Sequence, residues 1–176
     1  MKPNLKKIIL KPIDSKGYWL LLGLLFKGLI CLFQVMSHGI LILPNHHNHF
    51  IGSTGEDAQS YFIPIENFIR TGHYSPDDRM PGYGFVYYVF RLLFVKETAC
   101  NLILLVQWLA AGLSVYYLAI TVRDIFKKDG LFYITFFLFL LSPFSNYYDT
   151  WLQSDSLTTT SLIFASYFFI KYIKII

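Results

Sequence analysis

Five of the chain's eleven acidic residues lie between residues 55 and 83, the longest polar interval of an otherwise apolar sequence. Asp57 stands in a Gly-Glu-Asp-Ala motif, and Asp78 and Arg79 stand in Asp-Asp-Arg-Met-Pro-Gly-Tyr, which ends at Tyr83. A carboxylate can deprotonate a hydroxyl nucleophile or ligate a divalent ion, and arginine can bind phosphate through two hydrogen bonds. These residue types suit the transfer of a group from a phosphate-activated donor. They are also compatible with a bound divalent metal ion.

Each of these residues also has a structural interpretation. Acids in a loop are usually solvated, and an exposed pair of Asp78 with Arg79 contributes less than about 1 kcal/mol. Asp155, in the Ser-Asp-Ser sequence further along the chain, could serve only to cap a helix. The functional interpretation therefore depends on whether the fold brings these residues together.

The composition predicts an all-α integral membrane protein that crosses the bilayer several times. Hydrophobic residues make up 55% of the 176 residues and charged residues only 15%, whereas about a quarter is charged in soluble domains. The net charge of +4 does not indicate nucleic-acid binding, because five lysines precede the first apolar run within residues 1–16, as cytoplasmic flanks do. The two cysteines lack the spacing of a disulfide framework or zinc site.

We expect a single membrane domain, 1–176, with about four transmembrane helices. The expected spans are residues 17–43, 102–122, 131–145 and 157–170. The apolar stretch 83–95 would give a helix of only about 20 Å, too short for a hydrocarbon core of about 30 Å. If it does not cross, most lysines and arginines share one side with the N-terminus, as the positive-inside rule requires.

This topology assigns the connecting segments to sides of the membrane. Residues 1–16 form a basic cytoplasmic N-terminus, residues 45–97 an external loop with juxtamembrane helices, and residues 146–156 a second external loop. The two loops then share the external face, and their acidic residues can meet. A bacterial plasma membrane is the expected location.

Lys27 and the histidines near residue 47 are expected to have structural roles. Lys27 lies within the first apolar run, where it is expected to reach toward the cytoplasmic side or to face neighbouring helices; a buried functional lysine is the alternative. His46, His47 and His49 resemble a metal cluster only loosely, because adjacent histidines on a loop need not converge on one ion. A polar interfacial loop is the preferred interpretation of the histidines.

The order of motifs resembles the N-terminal portion of the GT-C membrane glycosyltransferases, of the family 39 type, which includes protein O-mannosyltransferases and aminoarabinose transferases. Those enzymes have an acidic residue followed by a tyrosine after the first helix, a Gly-x-Tyr motif, a basic residue before a proline, and later a Ser-Pro helix end and an acid. The corresponding residues here are Glu56-Asp57 with Tyr61, Gly72-His73-Tyr74, Asp78-Arg79-Met80-Pro81-Gly82-Tyr83, Ser142-Pro143 and Ser154-Asp155-Ser156.

The resemblance implies transfer of a sugar from a polyprenyl-phosphate donor to an acceptor at the external membrane face. It implies that Asp57 is the catalytic base or positions the acceptor. Glu56, Asp78, Arg79, Tyr83 and Asp155 would bind acceptor and donor phosphate. It also implies further helices, which a separate chain could supply. No cofactor is implied with certainty, although a divalent metal is possible.

The alternative is a non-enzymatic membrane subunit or a transporter component. Transporters place ionisable groups near the bilayer midplane. Nearly all the acids of this chain fall in expected loops, which favours the transferase.

Overall fold

The computed structural model describes residues 16–37, 56–75 and 81–173, and this part of the chain consists of helices joined by short connections, without a β-strand. It contains seven α-helices: α1 (Lys16–Ser37), α2 (Glu56–Thr71), α3 (Pro81–Arg91), α4 (Lys96–Phe126), α5 (Asp129–Leu140), α6 (Pro143–Asp149) and α7 (Ser154–Ile173).

Two of these helices, α1 and α4, are long and apolar enough to cross a membrane. Helices α5 and α6 are joined by a bend of 52° and would make a third span if the bent pair is counted as one. The all-α membrane class is thus supported with two or three spans, and the expectation of four is not shown. Helix α3 has 11 residues, about 16 Å, which agrees with the expectation that this stretch is too short to cross.

Helices α1 and α4 pack at backbone distance where two glycines meet. A Cβ atom added to Gly23 would lie 2.8 Å from the carbonyl oxygen of Gly112, and one added to Gly112 would lie 2.9 Å from the Cα atom of Leu24. Small residues are common at such crossings in membranes, because close packing replaces the hydrophobic effect as the source of helix association. This contact fixes the register of α1 against α4.

One end of the bundle is rich in aromatic and basic side chains. The rings of Trp19 and Phe132 lie 5.3 Å apart and those of Tyr117 and Tyr167 lie 4.8 Å apart, so the start of α1 meets the start of α5, and α4 meets α7. The Lys16 ammonium lies 5.7 Å from the centre of the Tyr117 ring. The lysines and arginines of the described helix ends at this pole are Lys16, Arg123, Lys127, Lys128 and Lys171. We call it the basic pole.

At the opposite pole, α2 and α3 pack on the first half of α4. Their shared core contains Phe62, Tyr87 and Ile103. Helix α4 has 31 residues, about 46 Å and well beyond the thickness of a hydrocarbon core. Ala99, Cys100 and Leu104 in its first third are buried in this same core.

An ion pair joins α2 to α3 at this pole. The Nε atom of Arg91 lies 2.8 Å from a carboxylate oxygen of Glu66, which also accepts a hydrogen bond from the Tyr87 hydroxyl. Burial raises the pKa of Glu66, but the hydrogen bonds from Tyr87 and Arg91 lower it by more, so the pKa lies below its ordinary value. Glu66 therefore stays ionised and joins the two short helices.

The bend between α5 and α6 lies at the Ser142-Pro143 motif. Pro143 lacks the N–H that a continuing helix needs, and Ser142 caps the next helix by accepting a hydrogen bond from the backbone N–H of Ser145 at 3.3 Å. Residues 146–149, expected in an external loop, are therefore helical, and the segment between helices shortens to residues 150–153.

Candidate functional site

The first turn of α2 lies beside the first turn of α7. The hydroxyl oxygens of Tyr61 and Ser154 are 3.0 Å apart, and buried Ala58 belongs to the same core cluster as Leu152. Asp57 directly precedes Ala58 in the first turn of α2, and Asp155 directly follows Ser154 in the first turn of α7. A side-chain contact thus links α2 to the start of α7, two elements that the sequence places about a hundred residues apart.

The structure describes only some of the six site residues predicted from the sequence. The side chains of Glu56 and Asp57 lie outside the described part of the structure, as do Asp78 and Arg79 entirely. Their roles stay predictions. Only Tyr83 and Asp155 of the predicted site are described with their side chains.

Tyr83 is buried and acts as a link between helices. Its hydroxyl donates to the side-chain oxygen of Gln107 at 2.7 Å, and the Gln107 amide donates to the backbone oxygen of Trp151 at 3.0 Å. Burial raises the pKa of Tyr83, so the hydroxyl keeps the proton it donates. Tyr83 is 5% exposed, and its contacts suit a residue that positions the segment before α7.

Asp155 is exposed and lines a cavity of about 160 Å³ between α4, α6 and α7. Most of the other lining groups are hydroxyls, including those of Ser114, Ser156 and Thr160. Phe144 and Tyr148 add aromatic rings, with their centroids 4.6 Å apart. The cavity could hold about five waters at roughly 30 Å³ each, or a small polar group of similar size.

A fully buried ion pair stands beside this cavity. The Nζ atom of Lys27 lies 2.6 Å from the Oδ2 atom of Asp149, and their side chains are 0% and 4% exposed. Lys27 also donates to the Asn146 side-chain oxygen and to the Ser145 hydroxyl, at 3.0 Å for the latter. All three ammonium hydrogens are thereby engaged.

Asp149 extends this network to α7 and α4. Its Oδ1 atom accepts a hydrogen bond from the Ser156 hydroxyl, and its backbone oxygen accepts one from the Trp108 indole at 2.8 Å. The pair therefore joins α1, α4, α6 and α7. Of the two expectations for Lys27, facing neighbouring helices is the one that the structure shows.

No protein family, curated protein or solved structure matches this chain. We therefore infer its function from the residues of the site itself.

Sequence reasoning did not single out Asp149. A lysine within a membrane helix is expected to have an acidic partner, and Asp149 and Asp155 are the two acids in the segment expected to be the second external loop. That signal could have narrowed the partner to two residues, but the choice between them depends on the bend that turns α6 toward α1.

The described residues contain no group of three or more histidine, cysteine or acidic side chains placed to hold a metal ion. His46, His47 and His49 lie outside the described residues. Within the described part, the chemistry available at the cavity is that of a carboxylate, hydroxyls and aromatic rings. Such a surface can accept hydrogen bonds from, and donate them to, a polyhydroxylated ligand.

Proposed function

We propose that this chain is a membrane glycosyltransferase of the GT-C type, which transfers a sugar from a polyprenyl-phosphate donor to an acceptor at the external face. In this proposal Asp57 is the catalytic base or positions the acceptor, and Asp78 and Arg79 bind the acceptor and the donor phosphate. Glu56 and Asp155 complete the polar surface around them.

The observation that carries the proposal is the convergence of α2 and α7. The hydroxyl groups of Tyr61 on α2 and Ser154 at the start of α7 lie within hydrogen-bond distance, which supports a shared site for Asp57 and Asp155. Asp155, the residue after Ser154, lines the cavity together with several hydroxyl groups. A carboxylate beside hydroxyl groups suits the binding of a hydroxylated acceptor or sugar, and transfer to such an acceptor needs a positioned base.

The proposal includes a topology with four spans and a cytoplasmic N-terminus in the plasma membrane. The gathering of lysines and arginines at the basic pole supports a cytoplasmic location for that pole. Trp108, Tyr147 and Trp151 cluster at the level of the Asp149 segment, and tryptophan and tyrosine favour membrane interfaces. The cavity would then lie at the external interface, where a lipid-linked donor can keep its tail in the bilayer.

The decisive experiment measures sugar transfer in membranes from cells whose chromosomal gene carries D57N. A panel of labelled short-chain prenyl-phosphate monosaccharides serves as donor, and labelled product is quantified. We expect transfer to fall by at least about 100-fold, because general bases contribute roughly 10²–10⁴ in rate. D129N, at the exposed start of α5 on the basic pole, is the matched control and should leave transfer unchanged. Equal transfer by D57N and wild type would refute the assignment.

A second candidate is a transporter component. The observation that favours it is the buried Lys27–Asp149 pair, since ionisable groups inside membrane helices often mark ion pathways. The engagement of all three ammonium hydrogens suits a pair that holds helices together better than one that exchanges ions. Substrate or proton flux into proteoliposomes that is abolished by D149N, with no sugar transfer by wild type, would favour the transporter.

A further inference from the structure

The cavity between α4, α6 and α7 combines apolar surface with several buried polar groups. Ser114, Asp149, Ser156 and Thr160 line it and are each less than 5% exposed. The side chains of these residues can donate hydrogen bonds to a molecule in the cavity, or accept them from it.

The charges around the cavity are unbalanced. Lys27 lies beside it, and the three hydrogens of its ammonium group are engaged by Asp149, Asn146 and Ser145. The charge of Asp149 is offset by this pair. Asp155 lines the cavity, and its negative charge has no ion-pair partner among the residues described.

This imbalance restricts the ligand. An anionic group in the cavity would meet the Asp155 carboxylate, and no free cation among the described residues that line the cavity would offset the repulsion. An uncharged polyol would find hydroxyls that both donate and accept, a carboxylate that accepts, and the apolar faces of Phe144 and Tyr148. We therefore assign the donor phosphate to a different part of the site, with Asp78 and Arg79 as its expected ligands.

We propose that this cavity is the subsite for the uncharged glycosyl group, and that Asp155 makes it selective against acidic sugars and phosphate. The proposal rests on the proposed glycosyltransferase function for its biological meaning, but the binding preference can be measured without turnover. It assigns Asp155 to sugar selectivity and removes it from phosphate binding.

The test follows the accessibility of a thiol placed in the cavity. Thr159 is exposed and lines the cavity, whereas Ser161 is exposed on the same helix but does not line it. The two native cysteines, Cys31 and Cys100, are buried. Maleimide labelling of T159C and S161C is measured in nanodiscs of uncharged phospholipid with three amphiphiles of equal tail length: dodecyl glucoside, dodecyl glucuronide and dodecyl phosphate.

We expect dodecyl glucoside to slow labelling of T159C but not of S161C. The glucuronide and the phosphate should bind on the order of tenfold more weakly, the ratio that about 1.4 kcal/mol of charge repulsion gives. In T159C/D155N this preference should disappear while protection by the glucoside persists. Calorimetric titration of the unmodified chain with the same amphiphiles gives an independent readout if a cysteine variant does not fold.

The possible results separate the two proposals. Equal protection by all three amphiphiles, no protection by the glucoside, or protection of S161C to the same degree would overturn the subsite. Selective protection in a protein that transfers no sugar would support the subsite and count against the transferase. Sugar transfer that depends on Asp57, without glucoside protection at position 159, would support the transferase and overturn the subsite.

Discussion

Replacing Lys27 by methionine tests whether the buried ion pair stabilises the bundle. At an effective dielectric constant of about 20, two unit charges 2.6 Å apart attract by about 6 kcal/mol. The variant loses this attraction but also avoids the cost of burying an ammonium group. Removing one partner of a buried pair typically costs about 3–5 kcal/mol, and we expect a loss of free energy of unfolding in that range.

The purified chain is unfolded in mixed micelles by raising the mole fraction of a denaturing detergent. Circular dichroism monitors the loss of helix, which gives the free energy of unfolding. L29M is the matched control, because Leu29 lies on the same helix and is 60% exposed; its change should stay within about 0.5 kcal/mol. K27M/D149L removes both charges and should recover most of the loss, because a hydrophobic pair can replace a buried ion pair.

If K27M is as stable as L29M, the ion pair does not stabilise the bundle. If K27M/D149L is less stable than K27M, Asp149 stabilises the fold without the lysine, and the ion pair is not the source of the stability. Recovery in the double variant would identify the pair as a structural connection between α1 and α6.

Three further outcomes are expected. The pKa of Glu66 is lowered in the folded state, so its ionised form stabilises the fold above its ordinary pKa of 4.5, and this contribution is lost as the pH falls through the folded-state pKa. The thermal midpoint of E66Q should therefore drop less than that of wild type between about pH 7 and about pH 3. An equal drop in the two proteins would contradict this expectation. G112V should lose about 1–3 kcal/mol or more, because its side chain meets the backbone of α1, whereas G130A, which meets nothing within 4 Å, should be nearly neutral. In intact cells an impermeant maleimide should label D155C but label K128C only after permeabilisation; the opposite pattern would reverse the proposed topology.

The helical class and the approximate position of each long helix follow from hydropathy, because apolar runs in this chain are long and well separated. The expected span at 102–122 lies inside α4, which extends it at both ends. Hydropathy alone could not predict whether the start of α4 contacts lipid or other helices, because residues such as Ile103 are apolar in either case. In the structure α2 and α3 pack against these residues.

The sequence gives less information about the candidate site. The positive-inside rule predicts that the segments of Asp57 and Asp155 share one face of the membrane, and the structure shows a side-chain contact between Tyr61 on α2 and Ser154 on α7. The Lys27–Asp149 pair was not predictable, because it depends on the bend at Pro143 and on the glycine contact that sets the depth of α1. Both are tertiary features that a hydropathy pattern does not encode.

The distance along the chain between Lys27 and Asp149 has a consequence for synthesis. The two residues are 122 positions apart, so at roughly 5–20 residues per second the lysine waits about 6–24 s for its partner. A lysine at the centre of a membrane helix costs about 2.5–3.5 kcal/mol during insertion, and each leucine, isoleucine, valine or phenylalanine contributes about 0.3–0.6 kcal/mol in return. With eleven such residues, or about 3–7 kcal/mol, α1 can enter the bilayer before its acid has been translated.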